Sequence, residues 1–380
     1  MKFVADDKIP FLKGVLEPYA EVVYLPGKQI SHADVKDADG LIVRTRTRVD
    51  RDLLEGSAVK MVATATIGFD HIDTVYCEQN GIKWTNAGGC NSSSVQQYIG
   101  SCLCFLAKNF LQKTEGKMLG IVGVGNVGKK IAKLGKALGM NIMLNDPPRA
   151  RIEGENDFVK LDELLQSADI ITLHVPLNMQ GQDKTYHLAD ADFFRQINPD
   201  AYLINSSRGE VVDSKSLKKA LRDKQISGAI LDVFENEPEI DPELLEQLLI
   251  GTPHIAGYSL DGKANGTSMS VDAIAKFFKL PLQNWFPSNL PSPKNRGILI
   301  DCSGLSSDEI VREAIAKTYD VVADSQRLKT SPGNFEELRG NYPVRREFHA
   351  FDVKLFNDNT NAYEILYDIG FNMLQSNICF

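Results

Sequence analysis

Residues 118–146 read MLGIVGVGNVGKKIAKLGKALGMNIMLND, and the fold of this chain turns on how that stretch is understood. Met118–Val122 is an apolar run of strand length. Gly123-Val124-Gly125-Asn126-Val127-Gly128 follows it directly and fits G-x-G-x-x-G. A helical pattern then runs from Val127 to Leu138, and a second strand, Asn141–Asn145, delivers Asp146 at its end. The glycines alone are a weak signal; strand, turn, helix, strand and acid in this order are a strong one. Gly123 permits a tight turn, Gly125 lets backbone approach a pyrophosphate, and Gly128 allows helix and strand to pack closely. The helix start at Asn126 and Val127 offers free N–H groups and the positive end of its dipole to phosphates. Asp146 lies 18 residues after Gly128, near the spacing of roughly 20 at which a carboxylate binds a ribose diol. Such a carboxylate repels a 2′-phosphate, so the pattern predicts NAD rather than NADP as cofactor. Arg149, close by, is the one cation that argues the other way.

Working outward, apolar runs alternate with helical patterns on both sides. Upstream strands are expected at Lys2–Ala5, Val22–Leu25, Gly40–Val43 and Met61–Ala65; downstream ones at Ile170–Val175, Ala201–Ile204 and Ala229–Val233. They lack polar alternation, as strands covered on both faces do. Strands separated by helices indicate parallel sheets with crossover connections. Ser92–Phe110 reads as one long helix with Val95, Ile99, Leu103 and Leu106 as its buried stripe, and Lys263–Leu280 as a late helix. The organisation predicted is one α/β unit interrupted by another: residues 1–94 and 257–285 form the first domain and 95–256 the second. Pro281, Pro287, Pro291 and Pro293 then mark a linker, and residues 286–380 read as a small appended α+β domain with a helix over Ser307–Thr318.

Length and composition fit this reading. A chain of 380 residues suggests two or three domains. The net charge of −8 excludes the broad basic face that nucleic acid or an anionic membrane requires. No apolar stretch approaches the roughly 20 residues of a membrane span, and Asp6 and Asp7 stand where a leader would be apolar. Cysteines 77, 90, 102, 104, 302 and 379 are dispersed, without CxxC pairs or metal-ligand spacing. A reducing, cytoplasmic setting and no metal are therefore expected.

Three further segments each end a strand, where open α/β sheets place their ligands. They contain Asn205-Ser206-Ser207-Arg208-Gly209, Asp232-Val233-Phe234-Glu235-Asn236-Glu237-Pro238 and Pro253-His254-Ile255-Ala256-Gly257-Tyr258. Hydride transfer at C2 of a hydroxy acid needs a base for the hydroxyl proton, a cation for the carboxylate, and a group that tunes the base. Histidine suits the first, arginine the second, and a carboxylate beside the imidazole the third. His254, Arg208 and Glu237 meet those needs if the strand ends converge. His71 and His174 have no nearby Glu–Arg combination in sequence and stay outside the catalytic set: His71 reads as structural, and His174, at the end of Ile170–Leu173, as lining the cofactor crevice without doing chemistry.

The order of these motifs resembles the D-isomer-specific 2-hydroxyacid dehydrogenase family over roughly residues 1–285. The resemblance implies catalytic Arg208, Glu237 and His254, and two doubly wound parallel-sheet domains, a Rossmann domain for NAD inserted in a flavodoxin-like substrate domain. It also implies cofactor contacts at Val175, Ser206, Ser207, Asp232 and Gly257. The segments 64–71, 88–91, 145–149 and 256–259, with the C-terminal extension, are similar to family members that act on a small phosphorylated hydroxy acid. That likeness implies substrate contacts at Arg44, Thr45, Thr66 and Tyr258, and a homodimer formed through the C-terminal domain. Arg44, Arg46 and Arg48 would share one face if their strand continues, and the pair Arg345-Arg346 would be available to a neighbouring subunit. Two alternatives stay open at this level: another phosphorylated hydroxy acid, such as 3-phosphoglycerate, and a non-catalytic NAD-sensing binding protein.

Overall fold

Strands of four or five residues with no polar alternation persist only where both faces are covered. The computed structural model, which describes residues 1–358 and 360–375, collects the strands into two parallel sheets and a smaller third, and the central strands of the two larger sheets are of this kind. The chain divides into two compact units, Met1–Asn91 with Ser259–Pro291, and Ser92–Tyr258 with the chain from Ser292 onward.

The first unit holds β1 (Lys2–Asp6), β2 (Glu21–Leu25), β3 (Gly40–Val43), β4 (Met61–Thr64) and β5 (Lys83–Asn86) in the order β2-β1-β3-β4-β5. This is the doubly wound, flavodoxin-like order. The four expected strands are present. β5, of sequence KWTN, escaped the sequence reading because an edge strand buries too little to need an apolar run. The late helix, Leu260–Phe278, seals one face: its Val271, Ile274 and Ala275 pack with Phe3, Ala5, Ile42, Met61 and Ala63. The Ser259 Oγ caps its start by accepting from the Gly262 N–H at 2.8 Å.

In the second unit β6 (Met118–Val122), β7 (Asn141–Asn145), β8 (Ile170–Leu173), β9 (Tyr202–Asn205), β10 (Gly228–Leu231) and β11 (Ile250–Gly251) line up as β11-β10-β9-β8-β6-β7. The winding reverses beside β6, so the glycine turn leaves the sheet at the switch point where such folds bind ligands. Three strands of the C-terminal segment, β12 (Gly297–Asp301), β13 (Asp352–Phe356) and β14 (Asn372–Met373), add a separate sheet. The α+β arrangement expected there takes a parallel form, because helices occupy both crossovers.

Helix Ser92–Leu106 explains why this segment belongs to the second unit. Val95, Ile99, Leu103 and Leu106 are buried as expected, but so are Ser94, Gln96, Gln97 and Ser101. The C-terminal segment covers that second, polar face. Ser101 donates to the Tyr319 carbonyl at 3.0 Å, Gln97 to the Arg346 carbonyl at 2.8 Å, and Ser94 to Glu347 at 2.8 Å. One apolar core accordingly runs from Leu119 and Ile121 through this helix to Ile298, Ile310 and Val353. Among the described residues no helix is long and apolar enough to cross a membrane, and the five described cysteines are free thiols; Cys379 lies outside the described residues.

Candidate active site

The fingerprint turn is built as its glycines require. Gly123 has φ +89°, and a Cβ there would stand 2.6 Å from the His174 carbonyl oxygen. At Gly128 a Cβ would lie 2.1 Å from the Gly123 oxygen, whereas at Gly125 it would meet nothing within 4 Å. Gly123 and Gly128 are therefore fixed by the protein itself, while Gly125 faces open space at the start of helix Asn126–Ala137. Asp146 follows β7 directly and accepts from the Val124 N–H at 2.8 Å and, as a helix cap, from the Arg149 N–H at 3.1 Å. Arg149 is turned to other work. It pairs with Glu153 at 2.5 Å, donates to the Val124 carbonyl at 2.7 Å, and lies over the Phe158 ring.

The other turns leave three adjacent strands, β9, β10 and β11. After β9, Asn205 organises the loop, a role the sequence reading missed. Its Oδ1 accepts from the Ser207 N–H and Oγ, and its Nδ2 donates to the Arg208 carbonyl at 2.8 Å. Ser207 is thus spent on the loop, while the Ser206 Oγ is buried with no protein partner. Arg208 is half-buried and donates to the Ser207 carbonyl at 2.8 Å. Gly209 presses this turn against the next: a Cβ there would lie 2.0 Å from the Phe234 oxygen.

After β10 the loop folds back on itself. Glu237 Oε1 accepts from the Phe234 N–H at 3.0 Å, and Oε2 meets the His254 Nδ1 at 2.7 Å. Both side chains keep some exposure, 19% and 29%. His254 has φ +56°, a left-handed conformation costing a non-glycine residue about 1–2 kcal/mol. Its N–H is held by the Asp232 carbonyl at 2.7 Å. The Asp232 carboxylate, expected to touch cofactor, is buried and accepts from Thr252 Oγ1, the Ile255 N–H and the Ala256 N–H at 2.6–2.8 Å. Burial pushes its carboxyl up, and nearby His254 and these donors only partly offset that.

Glu235 anchors the same loop. It accepts from His187 at 2.7 Å and from the Ser214 N–H at 2.9 Å. With Asp213 these residues bring ligand atoms within 4.8 Å of one another, but the Asp213 carboxylate is taken up by Ser216 and Glu235 by its two partners. Nothing in sequence spacing marked this group, since its members come from three separate turns. His174, near the glycine turn, contacts Thr172 Oγ1 at 2.9 Å, and burial pushes its pKa down to about 3. A histidine depressed in the folded state loses stability as pH falls below its unfolded value near 6.5. Urea unfolding is expected to show up to about 2 kcal/mol lost between pH 8 and pH 5 through this residue. An equal loss in His174→Asn would reject that source.

In the first unit, the shared arginine face does not form. β3 ends at Val43, and the chain turns inward because Thr47 is buried and donates to the Gly27 carbonyl at 2.9 Å. Arg44 makes a two-point pair with the buried Asp6 at 3.1 Å, Thr45 and Arg46 are exposed, and Arg48 pairs with Asp50 at 2.7 Å. Thr66 contacts Thr64 at 2.8 Å and donates to the Gly68 carbonyl at 3.0 Å. Half-buried His71 carries a pKa lowered by burial. In the second unit Val175, Gly257 and Tyr258 are half-buried, with Tyr258 beneath the Arg339 guanidinium. Arg345 and Arg346 do not point outward for a neighbour; they are 6% and 8% exposed, enclosed by the core that joins the C-terminal segment to helix Ser92–Leu106.

Comparison with known proteins gives the family. The family description "D-isomer specific 2-hydroxyacid dehydrogenase, NAD binding domain" matches residues 104–256. An erythronate-4-phosphate dehydrogenase of Bacteroides fragilis is 50% identical over 93% of this chain and 99% of its own. The chain belongs to the D-isomer-specific 2-hydroxyacid dehydrogenase family. As a member of that family it is an NAD-dependent oxidoreductase. An Escherichia fergusonii protein of the same name as the Bacteroides relative is 41% identical over 98% of both chains. Among solved family structures, the NAD+-bound 3-phosphoglycerate dehydrogenase of Entamoeba histolytica matches with a TM-score of 0.62 and 26% identity over 76% of this chain and 99% of its own. The C-terminal segment, residues 290–370, matches a domain of unknown function, DUF3410.

Proposed function

We propose that this dehydrogenase oxidises 4-phospho-D-erythronate to its 2-oxo acid, a step that the resemblance assigns to pyridoxal 5′-phosphate biosynthesis. The observation that carries the chemistry is the 2.7 Å contact between Glu237 and His254 Nδ1. With Nδ1 committed, Nε2 is the nitrogen that takes the hydroxyl proton from C2. Glu237, fixed by the Phe234 N–H, stabilises the imidazolium that forms. Arg208 holds the substrate carboxylate through its donor fork. Bound NAD supplies the hydride acceptor. The residues suited to hold it are Gly123, Gly125, Asn126, Val127 and Gly128 at the pyrophosphate and Asp146 at the ribose. Ser206, whose buried hydroxyl has no protein partner, and Val175 and Gly257 complete the set. Engagement of Arg149 by Glu153 favours NAD over NADP. The assignment of Arg44, Thr45, Thr66 and Tyr258 to substrate rests on the family likeness.

The substrate is supported by the names of relatives that align along nearly the whole chain. Turnover of 4-phospho-D-erythronate and 3-phosphoglycerate, each with NAD and NADP, tests it. The first acid with NAD is expected to lead by roughly tenfold or more in kcat/KM, as a site built for one anion geometry discriminates. Equal or faster turnover of 3-phosphoglycerate would overturn the substrate, and no turnover of any hydroxy acid would favour a binding role. We also propose a cytoplasmic homodimer through the C-terminal segment, supported by Leu299 and Phe356. These are 62% and 41% exposed on the outer face of paired strands β12 and β13. A monomer mass in sedimentation would count against it.

A further inference from the structure

The stretch Ile255-Ala256 joins His254 to Gly257, and every polar group of its backbone is gripped by a buried charge. The two N–H groups go to the Asp232 carboxylate at 2.8 Å. The two carbonyls accept from one guanidinium nitrogen, Arg345 Nη2, at 3.0 and 2.6 Å. Arg345 comes from the segment of unknown function, about ninety residues further along the chain. It is 6% exposed and lies in an aromatic slot, its guanidinium carbon 4.5 Å from the Tyr319 ring centre and 5.7 Å from that of Tyr342. Both phenols donate to the buried Asp324 at 2.7 Å, which fixes the slot.

We propose that Arg345 is a positioning residue for proton transfer: with Asp232 it clamps Ile255-Ala256 and so holds His254 in its left-handed conformation against Glu237. The physical need is plain. His254 adopts a conformation that an unrestrained histidine leaves for the extended or helical region. Its own N–H bonds tether only one side of the residue. The clamp supplies the other side, and charge-assisted bonds in a buried setting are the strong kind. On this view the C-terminal segment completes the active-site loop from behind, without touching substrate or cofactor. The inference rests on His254 as the proton acceptor, and its test separates the two ideas.

The experiment is a double-mutant cycle on the full-length enzyme, with Arg345→Met, His254→Ala and their combination, read by kcat, KM and NADH binding. Arg345→Met is expected to lower kcat about 10–100-fold, as a displacement near 1 Å does, with KM for the hydroxy acid and NADH affinity within about twofold. Arg345→Lys, which keeps the charge and can reach a carbonyl, is expected to recover part of the loss. In the His254→Ala background Arg345→Met is expected to cost no further activity, because it acts through the absent imidazole. Wild-type kcat in Arg345→Met, or an equal further loss in the double variant, would overturn the positioning role. If Arg345→Met does not fold, Arg345→Gln is subject to the same two criteria. A His254→Ala enzyme at wild-type rate would instead overturn the assignment of His254 itself.

Discussion

His254→Ala is expected to reduce kcat about 10³-fold while NADH still binds, because removal of a positioned general base typically costs 10²–10⁴ in rate. The geometry makes the loss specific. Glu237 and Nδ1 are 2.7 Å apart, so the carboxylate has an imidazole to stabilise and no substrate hydroxyl of its own to serve. The groups suited to NAD lie mainly on the turns after β6, β7 and β9, and the substitution leaves them in place. Alanine removes the side chain but keeps the left-handed strain; asparagine tolerates that conformation better. Comparable slow turnover in His254→Ala and His254→Asn would therefore assign the loss to missing chemistry. Stopped-flow measurement of the hydride step, beside NADH titration, reads both halves, and wild-type turnover in either variant would sink the assignment.

Gly209→Ala is expected to cost about 2–3 kcal/mol of stability, the scale of an overpacked core, and to lower kcat roughly 100-fold, as active-site displacement near 1 Å does. The added Cβ would lie 2.0 Å from the Phe234 oxygen, 2.1 Å from its carbon and 2.6 Å from the Glu235 nitrogen. These are backbone atoms, so no rotamer change relieves the clash. Nor can the loop retreat, since Glu235 is tied to His187 and to the Ser214 N–H. The strain would instead separate the Arg208 turn from the loop that presents Glu237. Gly297→Ala, where a Cβ meets nothing within 4 Å, is the control, and ordinary surface substitutions stay within about 0.5 kcal/mol. Equal urea-unfolding stability for the two variants would show that the close approach is not structural.

Local signals were legible where one segment carries the whole requirement. Gly123, Gly128 and the two-sided strands announce themselves because the demand on each residue is set by its chain neighbours. The partnership of Glu237 with His254 needed reaction chemistry as well, since neither residue is unusual alone. What stayed hidden depends on distant partners. Arg345 reads as one of a charged pair, and only the fold reveals the carbonyls and tyrosines that bury it. Ser94, Gln97 and Ser101 look like a solvent face until the C-terminal chain covers them. The arginines at 44, 46 and 48 misled for the opposite reason: alternation predicts a common face only while a strand lasts, and Thr47 ends it.

The seal formed by helix Leu260–Phe278 on β1, β3 and β4 has a consequence for the growing polypeptide. The sheet of Met1–Asn91 emerges first but cannot close its apolar face until residue 278 has been made. At the usual rates of synthesis that gap corresponds to roughly ten to forty seconds on the ribosome. Much of the inserted unit can fold within it, while Phe3, Ile42 and Met61 wait uncovered. Until that helix arrives, the sheet of residues 1–91 keeps an apolar face open to chaperones and proteases, although its own strands were made well before.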